Sequence, residues 1–200
     1  TASSAASRSS AAVPAPSPAL DPLPLRGEDG AVTSAPVLVP VEVRGLLQDP
    51  ATRSPILILR ERGGERFLPI WIGLFEAQAI ALSLEGIEAP RPLTHDLLAT
   101  LLAALDTTVD RVVVSDLREG TFFATIELLG AQGAVALDAR PSDAVALSLR
   151  CRAPLFVDER VFSAARHERP EGETEESSEE ERIRKLLESL APEDLGRYKM

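Results

Sequence analysis

The sequence has few of the features that identify a membrane, disulfide-rich or nucleotide-binding protein. Its 200 residues include one cysteine, which excludes an intrachain disulfide framework. No apolar run approaches the roughly 18–20 residues of a membrane span, so we expect no membrane association. P-loop, GxGxxG, CxxC and HExxH patterns are absent as well. We interpret Cys151 as a small apolar residue at the end of a buried helix rather than as a reactive thiol.

An excess of basic residues is also lacking. The 21 lysines and arginines are outnumbered by 31 acidic residues, which gives a net charge of −10. This balance excludes a broad basic surface of the kind that binds nucleic acid. A function on nucleic acid would need a local group of arginines or a metal ion, acting against an unfavourable overall field. What the chain does contain is 44% hydrophobic residues, enough for a substantial core.

Composition divides the chain into four segments. Residues 1–36 are rich in Ala, Ser and Pro, and we predict that they are disordered. No intact signal peptide is visible there, and we expect a cytoplasmic location. A folded domain is predicted at 37–165, followed by an acidic linker at 166–181. Residues 182–200 are predicted to form a short amphipathic helix and tail, which could dock on the core or on a partner.

The folded domain is organised around residues 68–86, LPIWIGLFEAQAIALSLEG. The first five residues have the bulky composition of a strand, and Gly73 interrupts the run. From Leu74 the residues are good helix formers with few polar positions, which predicts a mostly buried helix. Gly86 suits the left-handed conformation that often ends a helix.

This stretch is nearly repeated 65 residues later in the sequence. Residues 79–84, AIALSL, correspond to 144–149, AVALSL, and the preceding strands also correspond. We interpret the pattern as an internal duplication of three strands plus a buried helix, although two Ala- and Leu-rich helices can also resemble each other by chance. The predicted fold class is α+β, with mixed or antiparallel sheets around central helices.

Turn signals and β-rich runs predict the remaining elements. A middle helix should begin at Thr94 as N-cap and run to about Leu105, with a leucine stripe along it. Pro36 and Pro40 favour an edge position for the first strand. The strands are predicted at 37–47, 55–60, 66–72, 111–116, 121–129, 133–138 and 155–157, with a helical turn at 159–165.

Acidic residues and one histidine near the helix starts are the candidates for chemistry. Carboxylates with a histidine can hold Mg²⁺ or Mn²⁺ and can move protons. Acids in a first helical turn can equally well serve only to satisfy free N–H groups and the helix dipole. The candidate catalytic residues are Glu76, His95, Asp96, Asp138 and Asp143, and the candidate metal ligands among them are Glu76, Asp138 and Asp143.

Two arginines are candidates for binding a substrate. Arg140, just before Pro141, could pair with a phosphate or could bridge to Glu76 or Asp138. Arg91, in the loop before the middle helix, could make a second phosphate contact.

Several of these segments together resemble the bifunctional nuclease family. The resemblance covers about residues 37–165, and Leu93 is a conservative departure at a position where the family has methionine. The segments, in the family's order, are LPIWIG at 68–73, EAQAI at 76–80, RPLTHDLL at 91–98, DARPSDA at 138–144 and PLFV at 154–157.

The resemblance implies an α+β fold with a duplicated strand-rich motif, and nuclease activity on DNA and RNA. Mg²⁺ or Mn²⁺ is the expected cofactor, and the expected partners are nucleic acid and further copies of the same bacterial chain. The acidic cluster stays an inference from the residues, because the resemblance supplies no catalytic set. A non-catalytic oligomeric module that binds a ligand or protein in the same cleft is the alternative, and the net charge of −10 favours it.

Overall fold

A computed structural model describes residues 36–131 and 133–167 of the chain. Of the segments predicted at 1–36, 166–181 and 182–200, only residues 36, 166 and 167 are described, so their predicted structure stays untested. Eleven elements follow one another within the described part of the chain. In chain order they are β1 (Leu38–Gln48), β2 (Pro55–Glu61), β3 (Phe67–Trp71), α1 (Leu74–Leu84), α2 (Thr94–Ala104), β4 (Thr108–Arg118), β5 (Thr121–Gly130), β6 (Gly133–Ala139), α3 (Pro141–Cys151), β7 (Leu155–Asp158) and α4 (Glu159–His167).

The strands form one mixed sheet of seven strands in the order β3-β2-β1-β7-β4-β5-β6. Neighbouring strands are antiparallel except β4 and β7, which are parallel. The sheet and the four helices confirm the α+β class. Each half supplies three consecutive antiparallel strands and then a helix, with β7 inserted between the halves. That order is the one a duplication would produce, but the duplication itself stays a prediction.

One face of the sheet carries the larger core cluster, and α3 is the most deeply buried helix on it. Residues 144–147 of α3 are apolar and nearly inaccessible to water, and Ala146 has no exposed surface. They pack with apolar side chains from both halves of the sheet and with Ile80 of α1. The run 144–147 is buried on all sides, which explains why these four consecutive residues are all apolar rather than alternating with polar ones along one stripe. The expectation of a buried second helix is confirmed.

The expectation for α1 is only partly right. Ala77, Ile80 and Ala81 are buried, but the apolar side chains of Leu74 and Phe75 in the first turn are exposed. The helix ends at Leu84, and Gly86 has φ of +65°, the left-handed conformation predicted for it. Helix α1 therefore presents one face to the core and its N-terminal end to solvent.

Helix α2 departs further from the expectation. It begins at Thr94 with Leu93, not Thr94, as N-cap, and the Asp96 carboxylate accepts the Leu93 N–H at 2.8 Å. The predicted leucine stripe exists, but only Leu102 of that stripe packs on the core, together with Ala99. The remaining leucines of the stripe, Leu97, Leu98, Leu101 and Leu105, are exposed.

The predicted edge position of the first strand is wrong. Strand β1 pairs with β2 on one side and with β7 on the other. Pro40 lies opposite Phe156 in the β7 ladder, and its carbonyl accepts the Arg62 N–H at 2.9 Å. Because proline has no N–H group, Pro40 removes one hydrogen-bond donor from β1. The short, four-residue pairing between β1 and β7 tolerates this loss.

No helix within residues 36–131 and 133–167 is long and apolar enough to cross a membrane.

Candidate functional site

Three helices begin close together, and their first turns hold most of the candidate residues. Glu76 lies in the first turn of α1, His95 in that of α2 and Asp143 in that of α3, while Arg140 is the N-cap residue of α3. We call these four residues the first-turn cluster. The fold thus brings together side chains that are distant in sequence. His95 lies 19 positions after Glu76, and Asp143 lies 67 positions after it.

A continuous series of polar contacts joins the cluster. His95 Nε2 lies 3.3 Å from Asp143 Oδ1, and Arg140 Nε donates to Asp143 Oδ2 at 2.7 Å. Arg140 Nη1 donates to Glu76 Oε1 at 2.9 Å. Asp143 is therefore shared between a histidine and an arginine, and Arg140 is shared between two carboxylates.

The members of the cluster differ in their access to water. The His95 side chain is 11% exposed, whereas the Arg140 side chain is 66% exposed. Asp143 and Glu76 are intermediate. The cluster is accordingly open at Arg140 and closed at His95, so a molecule arriving from solvent meets the guanidinium first.

The charges of the cluster nearly balance. The hydrogen bond and charge of Asp143, and then those of Glu76, raise the pKa of Arg140 above its usual value. The guanidinium is thus held charged between the two anions. With His95 neutral, the cluster carries one net negative charge; with His95 protonated, it carries none.

Local sequence explains why Arg140 and Glu76 stand where they do. Pro141 occupies the first helical position of α3, and the extended backbone of Arg140 accepts the Ala144 N–H at 3.0 Å. On α1, the Glu76 carboxylate occupies the space that a side chain at Gly73 would need. Glycine at this position therefore leaves room for the carboxylate beside Arg140.

Asp96 does not join the cluster, although it is next to His95. Its carboxylate bonds to Arg150 Nε and to the Leu93 N–H. Arg150 also donates to the carbonyls of Ala146 at 2.8 Å and Ala79 at 3.1 Å. Arg150 therefore ties α1, α2 and α3 together, and Asp96 is part of that structural tie.

Asp138 and Arg91 are also placed apart from the cluster. Asp138 is exposed on edge strand β6, opposite Thr125, with no hydrogen bond or ion pair to other residues of 36–131 and 133–167. Arg91 is exposed in the loop before α2 and has no contact of this kind in the described part of the chain. The structure thus unites four of the seven candidate residues.

The predicted metal ligands do not form a metal site as they stand. No group of three or more His, Cys, Asp or Glu side chains within the described residues could hold a metal ion. Glu76 and Asp143 approach each other only through Arg140, which is hydrogen-bonded to both. A divalent ion would have to displace that guanidinium, so the residues present do not fit Mg²⁺ or Mn²⁺ in this arrangement.

Sequence reasoning missed two residues of this region. Phe75, beside Glu76 in α1, has an 80% exposed side chain, and an exposed aromatic ring can stack on a base. Because Phe75 is apolar and lies in a helix predicted to be mostly buried, nothing in the sequence marked it as a surface residue that could bind a ligand. Arg150 was missed as well, although an arginine at the end of a buried helix calls for a polar partner.

Comparison with known sequences places this chain in a family. The sequence profile described as the bifunctional nuclease domain matches residues 57–170. An uncharacterized protein of Mycobacterium tuberculosis is 42% identical over 160 residues, a match that covers 77% of this chain and 96% of that protein. Bifunctional nuclease 1 of Oryza sativa subsp. indica is 24% identical over 118 residues, covering 58% of this chain and 36% of the rice protein. On these matches and the α+β fold, the chain belongs to the bifunctional nuclease domain family.

Proposed function

We propose that this chain is a nuclease that cleaves phosphodiester bonds in DNA and RNA at the first-turn cluster. The observation that carries the proposal is the exposed Arg140 held beside a His95–Asp143 pair, in a domain of the bifunctional nuclease family. The similar rice protein is named a bifunctional nuclease, which favours the same class of substrate here.

Arg140 is proposed to bind the phosphate. Two of its five N–H donors bond to Asp143 and Glu76, which leaves three that a phosphate oxygen can accept. The two carboxylates fix the orientation of the guanidinium, so little side-chain freedom is lost when a phosphate binds. Phe75, one residue before Glu76, is proposed to stack on a base of the same strand.

The His95–Asp143 pair is proposed to accept the proton. A water molecule attacks phosphorus, its proton passes to the pair, and the phosphorus–oxygen bond to the leaving alcohol breaks. The leaving oxygen takes a proton from solvent. Asp143 takes the proton of the attacking water, and the imidazole of His95, whose Nε2 lies 3.3 Å from Asp143 Oδ1, holds the carboxylate in position. Because His95 is nearly closed to solvent, Asp143 is the member of the pair that contacts the substrate side.

The test is cleavage of single-stranded DNA and RNA by purified protein and by matched variants. Asp143→Asn and His95→Gln should each lower kcat by about 100-fold or more, the usual range for losing a general base. Arg140→Ala should raise KM strongly, and Arg140→Lys should restore only part of the binding, because lysine lacks the planar fork.

Arg118→Ala is the matched control for Arg140→Ala. Arg118 is exposed to a similar degree, 70%, and is paired with Asp116 in the β4–β5 hairpin. It should cleave like the unmodified protein, whereas Asp143→Asn, which passes through the same purification, reports contaminating nucleases. Equal activity of Arg140→Ala and Arg118→Ala would refute a role for Arg140.

Dependence on Mg²⁺ or Mn²⁺ is the expectation from sequence that the arrangement of the first-turn cluster does not fit, and it has its own test. Cleavage that stops in EDTA, returns with either ion and is lost in Asp138→Asn would support the ligand set predicted from sequence. Cleavage that survives EDTA and Asp138→Asn would favour the first-turn cluster acting without an ion.

A non-catalytic oligomeric binding module is the second candidate. The net charge of −10 favours it, as does the ion pairing that already satisfies Glu76 and Asp143. Absence of cleavage by the unmodified protein with any ion tested would select this candidate.

A further inference from the structure

Trp71 is the only tryptophan of the chain, and it is 51% exposed. It ends strand β3, which pairs with β2 alone in the described sheet. Leu68 and Ile70 belong to the core that the helices cover, so the alternation along β3 turns Trp71 to the opposite face of the sheet. Packing of the core therefore does not explain why this position holds a large aromatic ring.

The Trp71 ring is held in one orientation although it is exposed. Its Nε1 donates to Asp49 Oδ2 at 3.1 Å. Asp49 Oδ1 in turn accepts the N–H groups of Ala51 at 2.8 Å and Thr52 at 2.9 Å, so the turn between β1 and β2 fixes the carboxylate. A ring that is already oriented loses little freedom when a ligand stacks on it. The hydrogen bond engages only the edge of the indole and does not occupy a face of the ring.

Trp71 lies close to the first-turn cluster. Phe75 follows it by four positions, which separates their Cα atoms by at most about 14 Å, and Glu76 of the cluster comes next. Gly73, between the two aromatic residues, is exposed and presents no side chain there. A polymer bound at Arg140 can therefore pass Phe75 and continue around the end of β3 to Trp71.

The stretch that holds the two rings is uncharged. Residues 67–75 contain no charged side chain, and Glu76 after them is paired with Arg140. Asp49 is hydrogen-bonded to the indole, and Arg53 of the same turn is exposed and donates its backbone N–H to the Asp49 carbonyl at 2.8 Å. In a chain with a net charge of −10, a polyanion can approach this stretch, and one arginine lies at each end of it.

We propose that Trp71 is a base-stacking subsite for single-stranded nucleic acid, on a track that runs from Arg140 over Phe75 and Trp71 to Arg53. The inference rests on the proposed nuclease function and names its substrate as a single strand. Bases in a duplex lie about 3.4 Å apart along each strand and cover one another's faces, so they must be unstacked before they can contact a protein ring. A single strand offers its base faces directly, and any base of DNA or RNA can stack on an aromatic side chain.

The first test reads binding without cleavage. An oligothymidylate of about 12 nucleotides, a length within the range that one single-strand-binding domain covers, is titrated into the full chain. A gel of each mixture checks that the probe is still intact. Because the chain has one tryptophan, its fluorescence reports the subsite directly, and we expect the oligothymidylate to quench it. An abasic strand of the same length has the same phosphates without bases and should not quench, and neither should a duplex of that length.

The second test compares variants by the fluorescence anisotropy of a labelled oligothymidylate. Trp71→Ala should raise its Kd at least fivefold, the lower end of the effect of removing one stacking ring, and should leave the Kd of the abasic strand unchanged. Trp71→Phe should recover most of the loss because it keeps a ring. Leu129→Ala is the matched control, since Leu129 is 40% exposed on β5 in the other half of the sheet, and it should bind like the unmodified protein.

Arg53→Ala tests the far end of the track. It should reduce the slope of log Kd against log salt concentration by about 0.7, the value for one phosphate contact of a single strand. Arg118→Ala, which removes an exposed arginine of the β4–β5 hairpin, should leave the slope unchanged. An unchanged slope in Arg53→Ala would refute the course of the strand toward the turn between β1 and β2.

Three further results would overturn the subsite. These are oligothymidylate binding with unchanged Trp71 fluorescence, equal affinity of Trp71→Ala and the unmodified protein, and no binding of oligothymidylate by the unmodified protein at any concentration. The nuclease function fails separately, in the cleavage assay. Quenching without cleavage would support the subsite on a protein that only binds single strands, whereas cleavage without quenching would reject the subsite and keep the nuclease.

Discussion

Replacing Arg150 by alanine should lower the free energy of unfolding by about 2–4 kcal/mol. The Arg150 side chain is only 9% exposed, and it bonds to the Asp96 carboxylate of α2 and to one carbonyl each of α1 and α3. Hydrogen bonds to charged groups contribute about 1.5–3 kcal/mol each, and breaking a buried ion pair costs about 3–5 kcal/mol. Asp96 keeps contact with water and its bond from the Leu93 N–H, which places the expected loss below the top of that range.

Arg140→Ala is the internal comparison for this measurement. Both arginines belong to the α3 region and both bond to aspartates, but Arg140 is 66% exposed. An exposed ion pair contributes about 0–1 kcal/mol, so this variant should lose less than about 1 kcal/mol. Arg150→Lys should recover only part of the loss, because one ammonium group cannot reach acceptors on three helices.

Urea unfolding followed by far-ultraviolet circular dichroism measures these differences. All variants are compared at one protein concentration, because self-association would add to the apparent stability. The slope of free energy against urea should be the same in each, so that the midpoints report stability alone. Equal midpoints for Arg150→Ala and Arg140→Ala would refute the view that burial of Arg150 holds the three helices together.

Three further predictions concern the core and its titrating groups. The Leu93 N–H and then Arg150 hold the pKa of Asp96 below its usual value, so its contribution is complete above about pH 4 and is lost as the pH falls further. Asp96→Asn should therefore lose less stability than the unmodified protein between about pH 5 and about pH 3, and parallel losses in urea titrations would contradict this. Ala146→Leu should cost about 1–3 kcal/mol in thermal or urea unfolding, because Ala146 is fully buried; a neutral effect would mean that α3 can shift to make room. Burial raises the pKa of Cys151, so iodoacetamide should modify the native protein at neutral pH far more slowly than the urea-unfolded chain, and equal rates would show that the thiol is accessible.

Most of the element order could be predicted from sequence because local signals agree with the final packing. The β-rich runs and the Ala- and Leu-rich helices mark β1 to β7 and α1 to α3 to within a few residues. Local patterns could not reveal that β7 lies between β1 and β4, since pairing partners depend on distant contacts. For the same reason Pro40 suggested an edge strand that the insertion of β7 abolishes.

The candidate site was predictable in part, and the reason lies in the helix starts. Acids in first helical turns were recognisable, and the fold brings Glu76 to Arg140, as the bridging interpretation required. The second partner of Arg140 is Asp143 and not Asp138, which the sequence had suggested. The partner of Asp96 was not recognisable, because Arg150 lies 54 positions away and approaches it only through the packing of α2 on α3. The exposure of the α2 leucines was equally hidden, since a stripe of leucines has the same pattern whether it faces its own core or another molecule.

The central place of β7 has a consequence for how the chain becomes a folded protein during synthesis. Until residues 155–158 have left the ribosome, β1 and β4 each lack a neighbour, and the two three-stranded halves remain unjoined. The two halves can form their local hairpins early, but the sheet closes last, through contacts between residues more than 110 positions apart such as Val39 and Val157. A nascent chain stalled before residue 155 would expose two adhesive strand edges. Chaperones that bind extended segments could bind the free edges of β1 and β4 at this stage. Synthesis of the four residues of β7 would then cover both edges.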